Sequence, residues 1–100
     1  MSNAVWFISY KLVEGVSTPD FLIASQNCHD EALSKKKGFI SWKVLNVDDT
    51  WVDLVTWETM EDAINAESDD GAPSPAAQKF YSFIDPSSLN LQMYSVEKSY

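Results

Sequence analysis

The chain of 100 residues contains no arginine, and its whole basic complement is seven lysines against fifteen aspartates and glutamates, a net charge of −8. That lack excludes the commonest route to phosphate and nucleic-acid recognition, the planar guanidinium fork. The acidic balance repels polyanions and anionic membrane surfaces alike. Neither nucleic acid nor membrane is therefore expected as a partner. Cysteine is almost absent too. Cys28 alone cannot form an intramolecular disulfide, which suits a reducing compartment. There is one histidine, His29, in a run Cys28-His29-Asp30-Glu31 whose consecutive positions point in different directions on a helix. Metal ligands need spacings of three or four, so no metal site is expected. No apolar run approaches the length of a membrane span, and no basic region precedes an apolar one at the N-terminus. A cytoplasmic location is the resulting expectation. Three glycines and four prolines exclude a low-complexity chain.

What is present reads as one domain over residues 1–100, rich enough in apolar and aromatic residues to fill a core. Val5 to Val13 alternates, with Trp6, Ile8, Tyr10 and Leu12 on one face and Phe7, Ser9 and Lys11 on the other, as a strand does. Thr18 as N-cap, Pro19 and Asp20 open a helix whose apolar positions are Phe21, Ala24, Cys28 and Ala32. Within it Cys28 reads as a small buried hydrophobe. Lys35, Lys36, Lys37 and Gly38 close it, where cations suit the dipole and glycine ends the helix. Phe39 to Leu45 and Trp51 to Glu58 are strands joined across a turn at Asn46 to Thr50. Thr59 caps a short helix to about Glu67, and Ser68 to Pro73 is a loop. Ser74 and Pro75 open a further helix through Phe83, and Leu89 to about Lys98 is a last strand.

The order β-α-β-β-α-β, with its second helix in two pieces, predicts an α+β ferredoxin-like fold: a four-stranded antiparallel sheet with helices on one face. The other face then stands open. With Leu45 opposite Trp51, the pairs Lys43–Asp53, Ser41–Val55 and Phe39–Trp57 share one face. The other face carries Ile40, Trp42, Val44, Val52, Leu54 and Thr56 and suits contact with helices. A face mixing aromatics, hydroxyls and a charge pair is expected to meet a partner, most economically a second copy in a homodimer. The alternative is a wet outer face that tolerates two tryptophans.

The segments GFISWKVL (38–45) and WVDLVTWETMEDA (51–63), the corner Trp57-Glu58-Thr59 and the split second helix resemble the dimeric α/β-barrel superfamily, within it the antibiotic-biosynthesis-monooxygenase type. The resemblance implies a homodimer whose sheets face each other as a barrel. In several relatives a ligand pocket lies instead between the sheet and the helices, with the corner tryptophan contributing to it, and the sequence leaves open which side of the sheet Trp57 faces. The superfamily includes cofactor-free oxygenases, haem-degrading enzymes, isomerases and members with no known reaction. Haem degradation there uses an asparagine of the first strand and a histidine of the second helical region. This chain has neither, so haem is not expected, nor any other cofactor.

Spacing and resemblance together make Trp57, Asp53, Lys43, Ser41 and Phe39 the candidate ligand-binding residues. Asp53 has two readings: a structural partner of Lys43 or Lys11, or a proton acceptor with a raised pKa in an apolar setting. His29 reads as a satisfied or half-exposed side chain, with a general base as the alternative. The expected function is small-molecule binding, of a hydrophobic or aromatic ligand. The alternative is a cofactor-independent monooxygenase or isomerase acting on a small aromatic or polyketide-like compound.

Overall fold

A computed structural model describes residues 2–69 and 73–100; the middle of the loop expected at Ser68 to Pro73 lies outside them. The elements are β1 (Ala4–Tyr10), α1 (Thr18–Glu31), β2 (Phe39–Val47), β3 (Thr50–Trp57), α2 (Met60–Glu67), α3 (Pro75–Ser82) and β4 (Asn90–Ser95). They form one antiparallel sheet in the order β2-β3-β1-β4, the ferredoxin-like arrangement. Among the described residues no helix is long and apolar enough to cross a membrane.

Each helix begins where a short hydroxyl side chain takes up a free backbone N–H. Thr59 Oγ1 accepts from Asp62 N at 3.0 Å and Ser74 Oγ from Ala77 N at 3.1 Å. The cap of α1 is Ser17, whose Oγ accepts from Asp20 N at 3.2 Å, one residue before the expected Thr18. The helix also ends earlier than its lysines suggest. Ala32 leaves helical geometry, and a 3₁₀ turn at Leu33–Lys35 leads towards β2.

The covered face of the sheet carries Ala4, Trp6, Ile8 and Tyr10 from β1, the alternation read from the sequence. Two clusters build the core. At one end Tyr10, Phe21 of α1 and Phe80 of α3 pack with Ile84; at the other Trp6, Val55 and Trp57 pack with Ala63 of α2. Ile8 and Trp42 touch both. Trp6 Nε1 donates to the Ala63 carbonyl at 3.1 Å, fixing α2 to the central strand.

The hairpin departs from the expected register. Its turn is only Asp48-Asp49, with Asp48 at φ +53° and Val47 opposite Thr50. Leu45 therefore faces Val52, Val44 faces Asp53 and Lys43 faces Leu54. A slip of one residue exchanges the faces of one strand relative to the other. Asp53, Val55 and Trp57 lie on the helix-covered face with Trp42 and Val44, whereas Val52, Leu54 and Thr56, expected under the helices, lie on the open one. A β-bulge at Ile40 restores the expected Phe39–Trp57 pair.

Gly38 holds the start of β2 against the β3–α2 corner. Its φ is +83°, its carbonyl accepts from Glu58 N at 2.8 Å, and a Cβ there would collide with the Asp62 side chain. Gly38→Ala is expected to cost about 1–3 kcal/mol, read as a lower denaturation midpoint. Adding Asp62→Ala should recover only part, since the backbone conformation stays strained. An unchanged midpoint for Gly38→Ala would contradict this account of the corner.

Candidate functional site

Splitting the second helix leaves a space. The two short helices sit over different ends of the sheet, α2 on the Trp6–Trp57 cluster and α3 on the Tyr10–Phe21 cluster. Between them, with the end of α1 as a third wall, lies a cavity of about 570 Å³. Its floor is Trp6 and Ile8 of β1 with Leu91 of β4 and the preceding Leu89. Small side chains line the helical walls: Cys28, Ala32, Ala66 and Ala77, with Leu33 and Tyr81 beside them. Glu31, Lys36, Glu67, Asp69 and Ser74 supply the polar lining. The volume and the apolar lining are those of a site for a small molecule.

None of the five candidate residues read from the sequence lines this cavity. Trp57 is fully buried, its ring 4.7 Å from that of Trp6 and 5.9 Å from that of Phe39. It lies on β3 beside the floor residue Trp6 rather than in the floor. Phe39 shares the covered face with Trp57. Ser41 and Lys43 lie on the open face, so the expected Lys43–Asp53 ion pair does not form. Lys11, the other proposed partner of Asp53, is 3.4 Å from Asp49. The alanines of the split helix, Ala66 and Ala77, mark small-walled helices, but nothing in their spacing shows that the volume between them stays unfilled.

Asp53 is instead 4% exposed and accepts a 2.7 Å hydrogen bond from the Tyr10 hydroxyl. Burial pushes its carboxyl up from 3.8 to about 6, against the opposing hydrogen bond from Tyr10. The Trp42 indole lies near enough to oppose the rise as well, yet its N–H forms no hydrogen bond of ordinary geometry. Among the described residues the Trp57 indole N–H likewise has no hydrogen-bond partner, although it is buried. The Tyr10 phenol is held above its usual range by burial and by the neighbouring carboxylate. Asp53 is the cross-strand neighbour of Ile8, so this acid adjoins the cavity floor without opening onto it.

Cys28 does reach the cavity. Burial first, and the charge of Asp53 second, push its thiol up to about 11, so it is a protonated wall residue rather than a nucleophile at neutral pH. His29 is half-buried, with Nδ1 2.8 Å from Asp30 and its ring edge-on to Phe39 at 5.5 Å. Among the described residues no group of three or more histidine, cysteine, aspartate or glutamate side chains is placed to hold a metal ion.

No family model matches the sequence, and no curated protein matches it. Solved structures do. SnoaB, a cofactor-independent oxygenase from Streptomyces nogalater, is similar over 99% of this chain and 97% of its own, with TM-score 0.72 and 11% identity. A protein provisionally assigned as an antibiotic biosynthesis monooxygenase, from Bacillus cereus, is similar over 100% and 98%, with TM-score 0.64 and 21% identity. A dimeric protein of unknown function and ferredoxin-like fold from Bacteroides fragilis covers 94% and 96%, with TM-score 0.61 and 17% identity. At these identities it is the fold that is shared, and over nearly its whole length the chain has the ferredoxin-like fold of antibiotic-biosynthesis-monooxygenase-type proteins.

Proposed function

We propose that the protein binds a small, largely apolar molecule in the cavity between the sheet and the helices. The observation that carries this reading is the cavity itself, about 570 Å³ with an aromatic and aliphatic floor. Trp6 in the floor supplies an optical reporter. A neutral bicyclic probe, 1-naphthalenemethanol, should bind saturably at one site and change tryptophan emission. Ala66→Phe, which fills the wall, should weaken binding at least tenfold while thermal denaturation shows a folded protein. Unsaturable binding, or equal affinity in the filled variant, would refute the reading.

A second reading is supported by Asp53. The buried Asp53 carboxyl, with a pKa near 6, is largely ionised at neutral pH and suits cofactor-independent oxygenase or isomerase chemistry on an acidic phenol, a role that requires the neighbouring Ile8 side chain to move aside so that the phenol can reach it. Oxygen-electrode traces with such a phenol separate the readings. Consumption that disappears in Asp53→Asn favours the oxygenase; no consumption, with the bound phenol recovered chemically unchanged, favours the binder.

The assembly we infer is a homodimer through the open sheet face. Val5, Phe7, Val52, Leu54, Leu45 and Tyr94 lie there, with Phe7 40% and Tyr94 52% exposed. Apolar surface of that extent favours a self-complementary partner. Light scattering should give about twice the 11.3 kDa chain mass. Phe7→Glu with Leu54→Lys should halve it, and a parent protein that is monomeric at every concentration would exclude this assembly. The lone cysteine, which has no partner within the chain, supports a cytoplasmic location.

A further inference from the structure

The polar part of the cavity lining carries charge mainly of one sign. Glu31, Glu67 and Asp69 are acidic, and among the described residues of the lining Lys36 is the one base beside them. That lysine is already committed, with Nζ 2.7 Å from the Asp69 carboxylate. Among the described residues neither Glu31 nor Glu67 forms an ion pair. Two negative charges thus remain uncompensated at the rim of a largely apolar cavity. The backbone adds to them. Glu31 and Glu67 are the last residues of α1 and α2, so the negative ends of two helix dipoles meet the cavity, against the positive end of α3 at Ser74.

The geometry points to a ligand with an apolar body of one or two rings and a protonated amine, the amine held by Glu31 and Glu67, and to exclusion of carboxylates and phosphates. This rests on the cavity being a ligand site and names the class of ligand it takes. The ring system displaces water from Trp6, Ile8 and Leu91, and the ammonium stays at the partly solvated rim. There the carboxylates attract it over a few ångströms and added salt weakens the attraction. An anionic ligand of the same shape meets the same carboxylates as a repulsion, with Lys36 neutralised by Asp69.

Three probes of one shape separate charge from fit: 1-naphthylmethylamine, 1-naphthalenemethanol and 1-naphthoic acid, titrated calorimetrically at pH 7.5 in low salt. The amine should bind at least tenfold more tightly than the acid, with the alcohol between them. In Glu31→Gln/Glu67→Gln the amine's Kd should come within twofold of the alcohol's, and in the parent protein 0.5 M sodium chloride should shrink its advantage. Ala66→Phe and Leu91→Trp control for attraction of the amine to the acidic surface at large. An acid that binds as well as the amine, or an amine advantage that survives in the double variant, would overturn the charge preference and leave the cavity reading standing. If none of the three binds, or all bind equally to both filled variants, the cavity reading falls and this inference with it.

Discussion

Trp57→Ala is expected to lower stability by about 3–5 kcal/mol, the usual cost of emptying a large aromatic site in a core. In a domain of this size that lowers the melting temperature by more than about 12 °C. The ring is 0% exposed and stands between Trp6 and Phe39, so truncation removes contacts on both sides and leaves a void that the sheet backbone cannot close. Small domains hold only about 5–15 kcal/mol in total, and the variant is therefore expected to be partly unfolded at 37 °C. Trp57→Phe should be milder, since it keeps an aromatic ring and removes a buried indole N–H that has no partner among the described residues. A tryptophan lining a pocket would behave differently, with stability nearly unchanged and ligand affinity reduced. Thermal denaturation followed by circular dichroism, beside probe titration of both variants, decides between them. A melting temperature within a few degrees of the parent would show that Trp57 is not core.

Asp53→Asn is expected to stabilise the protein at neutral pH. The folded-state pKa of this acid is raised, so the sign is opposite to that of a carboxylate held in a salt bridge. Below about pH 3.8 both folded and unfolded chains carry the protonated acid. Between 3.8 and about 6 the unfolded chain ionises while the folded one retains its proton, and stability falls across that window. Above it the cost is complete, up to about 3 kcal/mol for the gap between those values. The amide carbonyl that replaces the carboxylate can still accept from Tyr10, so shape and hydrogen bond survive without the buried charge. The gain should appear at pH 7.5 and vanish near pH 4 in urea titrations of the two proteins. Asp53→Leu should not share it, because it leaves the buried Tyr10 hydroxyl without an acceptor. A variant less stable than the parent at pH 7.5 would mean the ionised carboxylate is favourably held. If the protein is an enzyme of the kind described above, the same change costs turnover, the usual opposition between a strained catalytic group and stability.

The sequence by itself determined the element order, the caps of the two later helices and the makeup of the central strand. Those signals are local. Thr59 and Ser74 cap because a hydroxyl can reach an N–H three residues on, whatever surrounds it. The alternation of Trp6, Ile8 and Tyr10 against Phe7 and Ser9 survives because only one of those faces is covered. The absence of arginine likewise bears on anion recognition in any fold. Tertiary structure alone decided which face Asp53, Lys43 and Ser41 occupy. In β2 and β3 both faces are apolar enough to be core, so the period of two carries no preference between registers. The choice rests on a two-residue turn with Asp48 in the left-handed region and a bulge at Ile40, and neither is written into a hydrophobic pattern. The cavity was out of reach for a related reason. It is the volume left where α2 and α3 settle on different clusters, and a sequence specifies side chains that are present rather than space that several distant ones fail to fill.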